Sequence, residues 1–212
     1  EPHTKFIRNV SLKCNMIGEY VYVDSDERNN FAKSKLEYLI DQVQYNGDIL
    51  LNYDSLVDNS YIAKMYFKNS CKEYVWCLQN VADVKNKLWY KYSTDVNGVE
   101  INPIISTRIM FNSRSREHTK NGNYFNFVVP YEKHHHTPRI GINNYSFSLY
   151  PEEAQPSGAA NLSKIDDTGL MIEIFDDLFV QSGLIEYVLH IYCQSYNILR
   201  VCSGMAGLLM FE

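Results

Sequence analysis

The sequence has little that would let it bind nucleic acid, cross a membrane or run a redox cycle. It carries 20 Lys and Arg against 25 Asp and Glu, for a net charge of −5, and no Lys/Arg-rich run. Direct binding to nucleic acid therefore has no electrostatic basis; Arg114-Ser115-Arg116 is offset by Glu117 and reads as a solvated loop. No apolar run reaches the roughly 18 residues needed to span a bilayer. The five cysteines, Cys14, Cys71, Cys77, Cys193 and Cys202, are odd in number. They match neither a zinc spacing nor a CxxC pair, so free thiols of a reducing compartment are expected. The opening Glu1-Pro2-His3-Thr4 has no Met and none of the features of a signal peptide. Processing or a fragment boundary would account for it.

Catalytic words are also missing. There is no Gly-x-Ser-x-Gly elbow, P-loop or Gly-x-Gly-x-x-Gly. Glu152-Glu153 and Asp166-Asp167 are adjacent pairs, and neighbours on a strand face opposite ways. No nucleophile, base and orienter set emerges, so no catalytic residue and no cofactor is expected. His134-His135-His136 is the one metal-like run. On a strand, His134 and His136 would share a face about 6.6 Å apart, as in a cupin. No carboxylate follows before Gly141, and Arg139 would repel a cation, so no metal is expected. N-x-S/T sequons stand at Asn9, Asn144 and Asn161, and matter only in a secretory compartment.

What is present is aromatic and strand-like. Of 212 residues, 17 are Tyr and 10 Phe, which favours strands and interfaces. The length suits one sizeable all-β domain, or one domain plus a piece of another, burying roughly 70% of its unfolded surface. Val10–Val23 reads as a strand. Asp24 followed by Glu27 has the form of a capping box, and the spacing of Phe31, Ala32, Lys35, Leu36, Leu39 and Ile40 predicts helix from Asp24 to about Gln42. Asn46-Gly47-Asp48 and Asn97-Gly98 signal turns. Strands are expected over 60–67, 72–79, 104–111, 124–129 (closed by Pro130), 142–149, 170–175 and 184–198. In the last, Tyr187, Leu189, Ile191 and Cys193 share a face. Leu88–Tyr92 reads as an edge or loop wall. About eight strands after Gly47, few helices and regular turns argue for a β-sandwich or barrel. Pattern alone does not choose among capsid, lectin and cupin jelly rolls.

One block does choose. Tyr124-Phe125-Asn126-Phe127-Val128-Val129-Pro130-Tyr131 is followed by His134-His135-His136-Thr137-Pro138, then by Gly141-Ile142-Asn143-Asn144-Tyr145-Ser146-Phe147-Ser148-Leu149. Pro151-Glu152-Glu153-Ala154-Gln155-Pro156-Ser157-Gly158 and Asn161-Leu162-Ser163-Lys164-Ile165-Asp166 come next. In this order the words closely resemble major capsid proteins of nucleocytoplasmic large DNA viruses. Tyr196–Arg200 with Ser203-Gly204-Met205-Ala206-Gly207-Leu208 is similar to that family's ending, and residues 26–40 to the segment joining its two jelly rolls.

The resemblance implies an all-β jelly-roll β-sandwich, the C-terminal jelly roll of a double jelly-roll protein, with a short helical linker. Residues 1–44 would be the last strand of a preceding jelly roll plus the linker, and 45–212 the C-terminal jelly roll. It implies a structural capsid subunit forming homotrimeric, pseudo-hexagonal capsomers, with neighbouring capsomers and minor capsid proteins as partners. Proximity to an internal viral membrane, without insertion, and assembly in the host cytoplasm follow from the same likeness. The motif residues expected to shape it are Pro130, Gly141, Tyr145, Phe147, Pro151, Pro156, Ser157, Gly158, Asn161, Asp166, Gly204 and Gly207. A minor capsid paralogue, an assembly scaffold of the same fold and a carbohydrate-binding jelly roll are the alternatives.

Overall fold

The computed structural model describes residues 13–175, 186–203 and 205–210. Residues 13–24 form no helix or strand and, apart from Val23, are exposed, which corrects the expected strand Val10–Val23 over its described part. The alternation there suits a strand, but a strand exists only by pairing with another edge, and no described strand lies beside it. Asp24 does cap α1 (Ser25–Lys33): its Oδ1 accepts from the Glu27 amide at 2.8 Å. The helix ends nine residues short of Gln42. Ser34 is already extended, and β1 (Leu36–Tyr45) follows. The helical spacing of Leu36, Leu39 and Ile40 loses to an antiparallel ladder running from Leu36↔Val201 to Tyr45↔Tyr192.

Asn46-Gly47-Asp48 is a break in a strand rather than a reversal. β2 (Ile49–Leu51) continues along the same edge, with Gly47 at φ +86°. β3 (Ser60–Met65), β4 (Ser70–Asn80) and the short α2 (Val81–Lys85) come next. β5 (Thr94–Val96) and β6 (Val99–Ile101) form a hairpin on Asn97-Gly98, both at positive φ, as a tight hairpin turn requires. Then follow β7 (Ile104–Phe111), β8 (Arg114–Ser115) and β9 (Lys120–Asn121). Beyond a helical stretch lie β10 (Ile142–Ser146), β11 (Ala160–Asn161), β12 (Thr168–Ile174), β13 (Tyr187–Cys202) and β14 (Met205–Leu208).

Two large antiparallel sheets result, besides the two-stranded β5–β6 hairpin. One runs β1-β13-β4-β10, with β2 and β14 also on β13 and β11 on β4. The other runs β3-β12-β7-β8, with β9 also on β7. Taking β1 with β2, β8 with β9 and β10 with β11, and leaving aside the β5–β6 hairpin and β14, the first, third, sixth and eighth strands form one sheet. The second, fourth, fifth and seventh form the other, which is the jelly-roll arrangement. β13 is central. Its odd-numbered residues Tyr187, Leu189, Ile191 and Cys193 are all buried, as their alternation predicts. They meet Ala63, Met65, Ile109, Leu170 and Ile172 in one core. Full burial of each such Leu or Ile contributes about 1.5–3 kcal/mol.

The expected strand 124–129 is instead a π-helical turn, Tyr124–Val128, running into α3 (Val129–Lys133). The sequence rule that misleads here is β-branched and aromatic alternation ending at proline. Proline, however, is tolerated in the first turn of a helix, where its missing N–H is not needed. Helical geometry brings Phe125 and Val129, four apart, inward together. Phe125 then packs edge-on to Trp76, centroids 5.2 Å apart.

Candidate functional site

The motif block gathers beside β4, with which β10 and β11 pair. Asn126, fully buried, holds it together. Its Nδ2 donates to the carbonyls of Arg139 (3.1 Å) and Ile142 (2.7 Å), and its Oδ1 accepts from the Gly141 amide at 3.2 Å. One side chain thus ties the π-turn to the start of β10. Pro130 is buried at the start of α3. Gly141 has φ +94°, and a Cβ there would stand 2.1 Å from the Tyr92 carbonyl oxygen, so both conformation and space demand glycine.

β10 carries the aromatic part. Tyr145 meets Phe147 edge-on at 5.0 Å. Phe147 also packs edge-on to Tyr74 at 5.2 Å and stacks on Phe111 at 5.9 Å. Burial pushes the Tyr145 phenol above its ordinary pKa. Leu149, at the end of the expected strand 142–149, is exposed because the strand ends at Ser146. Asn143 is buried, accepting from Asn102 Nδ2 at 2.7 Å.

The Pro151–Gly158 loop returns to this strand through Ser157. Its hydroxyl lies 2.6 Å from Ser148 Oγ and accepts from the Tyr150 amide at 2.9 Å. Pro151 is buried and Pro156 exposed. Gly158 has φ +141°, with a Cβ position 2.9 Å from the Phe147 carbonyl oxygen. Asn161 caps the turn 162–164, accepting from the Ser163 amide at 3.1 Å. Asp166 is exposed on the following bend; it is the backbone of Asp167 that exchanges hydrogen bonds with Asn112. Gly207 lies on β14 with open space around it. Gly204 lies outside the described residues.

The histidine run is not on a strand, so the shared-face geometry considered for His134 and His136 does not arise. It follows α3 on a bend. His134 Nε2 lies 3.0 Å from Glu73 Oε2 and its Nδ1 3.1 Å from Glu152 Oε1. Glu152 also takes the amide of His135 at 3.1 Å and contacts that ring's Nδ1. The hydrogen bond to Glu73 raises the His134 pKa, against the opposing effect of burial; the charge of Glu73 and a hydrogen bond with Asn144 add to the rise. The cluster pins the loop at Glu152 to the sheet at Glu73. Asn144 donates to that same Glu73 at 2.7 Å and is buried, so its sequon is inaccessible in the folded chain. Among the described residues no group of three His, Cys, Asp or Glu is placed to hold a metal ion.

Asn126 and Glu73 are organising polar residues that sequence reading did not single out, and Glu152 entered it only as half of an acidic pair. For Asn126 a signal existed: a lone amide between aromatics of an apolar run. Nothing local marks Glu73.

The family model for the large eukaryotic DNA virus major capsid protein matches residues 27–207. The chain is 34% identical over 199 residues to a probable capsid protein 4 of Acanthamoeba polyphaga mimivirus, covering 90% of this chain and 37% of that one. It is 31% identical over 213 residues to the major capsid protein of Pyramimonas orientalis virus, covering 90% and 47%. Among solved structures it superposes on a quasi-atomic model of the PBCV-1 virus capsid with a TM-score of 0.74 and 25% identity, over 91% of this chain and 56% of that one. The Faustovirus major capsid protein shares the fold at a TM-score of 0.62 and 14% identity. The chain spans about half the length, or less, of these relatives. With its jelly roll and its motif block in place, the chain belongs to the family of large eukaryotic DNA virus major capsid proteins.

Proposed function

We propose that the chain is a structural subunit of an icosahedral viral capsid, contributing the C-terminal jelly roll of a double jelly-roll protein. The observation that carries this reading is the motif block itself. Its uncommon residues serve to hold one loop shape, through Asn126, Gly141, Ser157 and Gly158. A lattice part must keep one shape in every copy; a loop so tied loses little further entropy on assembly. The reading assigns no catalytic residue and no cofactor.

In this reading the C-terminal jelly roll begins at Leu36 rather than at residue 45, which the pairing of β1 with β13 supports. Residues 13–35 lead in from the first jelly roll. The exposed Met16, Ile17, Tyr20, Val21 and Tyr22 pack on that upstream domain, a reading that the greater length of the relatives supports. Three copies associate through a closed heterologous interface. The outward side of the π-turn and α3 supplies aromatic and apolar anchors, with Phe127, Val128 and Tyr131 exposed. Neighbouring capsomers and minor capsid proteins are the further partners, in a virion assembled in the host cytoplasm, near an internal membrane without insertion into it. Light scattering after size exclusion, with the upstream sequence restored, tests the reading. A stable trimer is expected; a monomer at micromolar concentration overturns it. The likeness to a numbered mimivirus capsid protein favours one second reading, a minor capsid paralogue, which copy number in the virion separates.

A further inference from the structure

Two of the five cysteines meet in the core. Cys71 on β4 and Cys193 on β13 are each fully buried, and their sulfurs lie 2.9 Å apart. The two strands are adjacent, and a bulge between Gln194 and Ser195 shifts their register beside the pair. That separation is closer than two unbonded sulfurs pack, and about 0.9 Å longer than the roughly 2.05 Å of a disulfide. The other cysteines are differently placed: Cys14 is exposed, Cys202 partly so, and Cys77 is buried with its thiol pushed up to about 12 by desolvation.

We propose that Cys71 and Cys193 are a disulfide site, oxidised by a disulfide-donating thiol oxidoreductase while the chain folds. The step balances as thiol–disulfide exchange. The thiolate of one cysteine attacks the donor's disulfide, forming a mixed disulfide and releasing one donor thiolate. The thiolate of the other attacks the mixed bond, closing Cys71–Cys193 and releasing the second donor thiolate. The two protons lost by the cysteines end on the donor's sulfurs, and the donor is left as a reduced dithiol.

The position in the fold decides when this can happen. Burial pushes the Cys71 thiol well above its ordinary range, and a neutral, inaccessible thiol does not attack a donor. Oxidation must therefore precede closure of the core. Cys193 lies 122 residues after Cys71, on the strand that enters the centre of its sheet, between β1 and β4. The bond would staple that late strand to one already made, closing a long loop of the unfolded chain. Long loops gain most from such closure.

The test is to refold the chain in a glutathione redox buffer, denature it with N-ethylmaleimide and no reductant, digest it and analyse the peptides by mass spectrometry. A linked peptide pair containing Cys71 and Cys193, lighter by two hydrogens than the separate peptides, is expected. The Tm of the oxidised protein should exceed that of the reduced protein by about 5 °C or more. The Cys77→Ser variant should keep that difference, and the Cys71→Ala/Cys193→Ala variant should lose it. Complete alkylation of both cysteines after oxidative refolding, or linkage of either to a different cysteine, overturns the proposal.

Discussion

His134 and Glu73 form an ion pair within the fold, Nε2 to Oε2 at 3.0 Å, with side chains only 15% and 7% exposed. Glu152 on the returning loop approaches the other ring nitrogen at 3.1 Å. A carboxylate beside each ring nitrogen favours the charged imidazolium over the neutral ring.

The pair makes stability pH-dependent. A histidine whose pKa is raised by folding binds its proton more tightly in the native state. Its contribution is fully present below the unfolded value and is lost as pH rises through the raised folded one. Above the carboxylate range, where Glu73 and Glu152 are ionised, the Tm should fall by a few degrees as the solution goes from mildly acidic to mildly alkaline. His134→Gln should flatten that slope. An unchanged slope in the variant would assign the dependence to other groups.

The glycines of the motif should separate by space. At Gly141 a Cβ collides with the Tyr92 carbonyl at 2.1 Å and φ is +94°, whereas at Gly207 nothing lies within 4 Å. Gly141→Ala should cost about 2–4 kcal/mol or prevent folding. Gly207→Ala should stay within about 0.5 kcal/mol. Urea denaturation midpoints check both, and equal effects would contradict the steric account.

Lys72 is a buried cation, 1% exposed, 2.8 Å from Asp41 Oδ2 and 5.1 Å from the Tyr196 ring centroid. Removing Asp41 leaves the ammonium unpaired, while replacing Lys72 by a similar apolar chain removes the desolvation cost together with the attraction. Asp41→Ala is expected to destabilise by about 2–3 kcal/mol, the partial exposure of Asp41 moderating the loss. Lys72→Met should cost less than about 1 kcal/mol. Equal losses in chemical denaturation would count against this asymmetry.

Tyr131 is 81% exposed on α3, so Tyr131→Lys should leave the Tm unchanged. In the chain with its upstream sequence restored, the same change should shift the mass seen by light scattering from trimer toward monomer. A full trimer in this variant would move the interface away from α3.

Much of this architecture could be read from local pattern. The alternation through Tyr187, Leu189, Ile191 and Cys193 has the period of a half-buried strand, and β13 is one. Asp24 with Glu27 marked a helix start, and Asn97-Gly98 a turn. These signals survive because each depends on neighbours a few residues away. The family words from Tyr124 to Asp166 supplied the jelly roll, since their order is specific even where their conformation was misread. Tertiary structure decided the rest. Leu36–Tyr45 is a strand because β13 offers it a ten-residue ladder, and Tyr124–Lys133 is helical because Phe125 has Trp76 to pack against. His134 carries its role only because β4 brings Glu73 to it and the loop brings Glu152. Periodicity reports which face of a segment is apolar; which partner covers that face depends on contacts between residues far apart in the chain, and those form only when the sheets close.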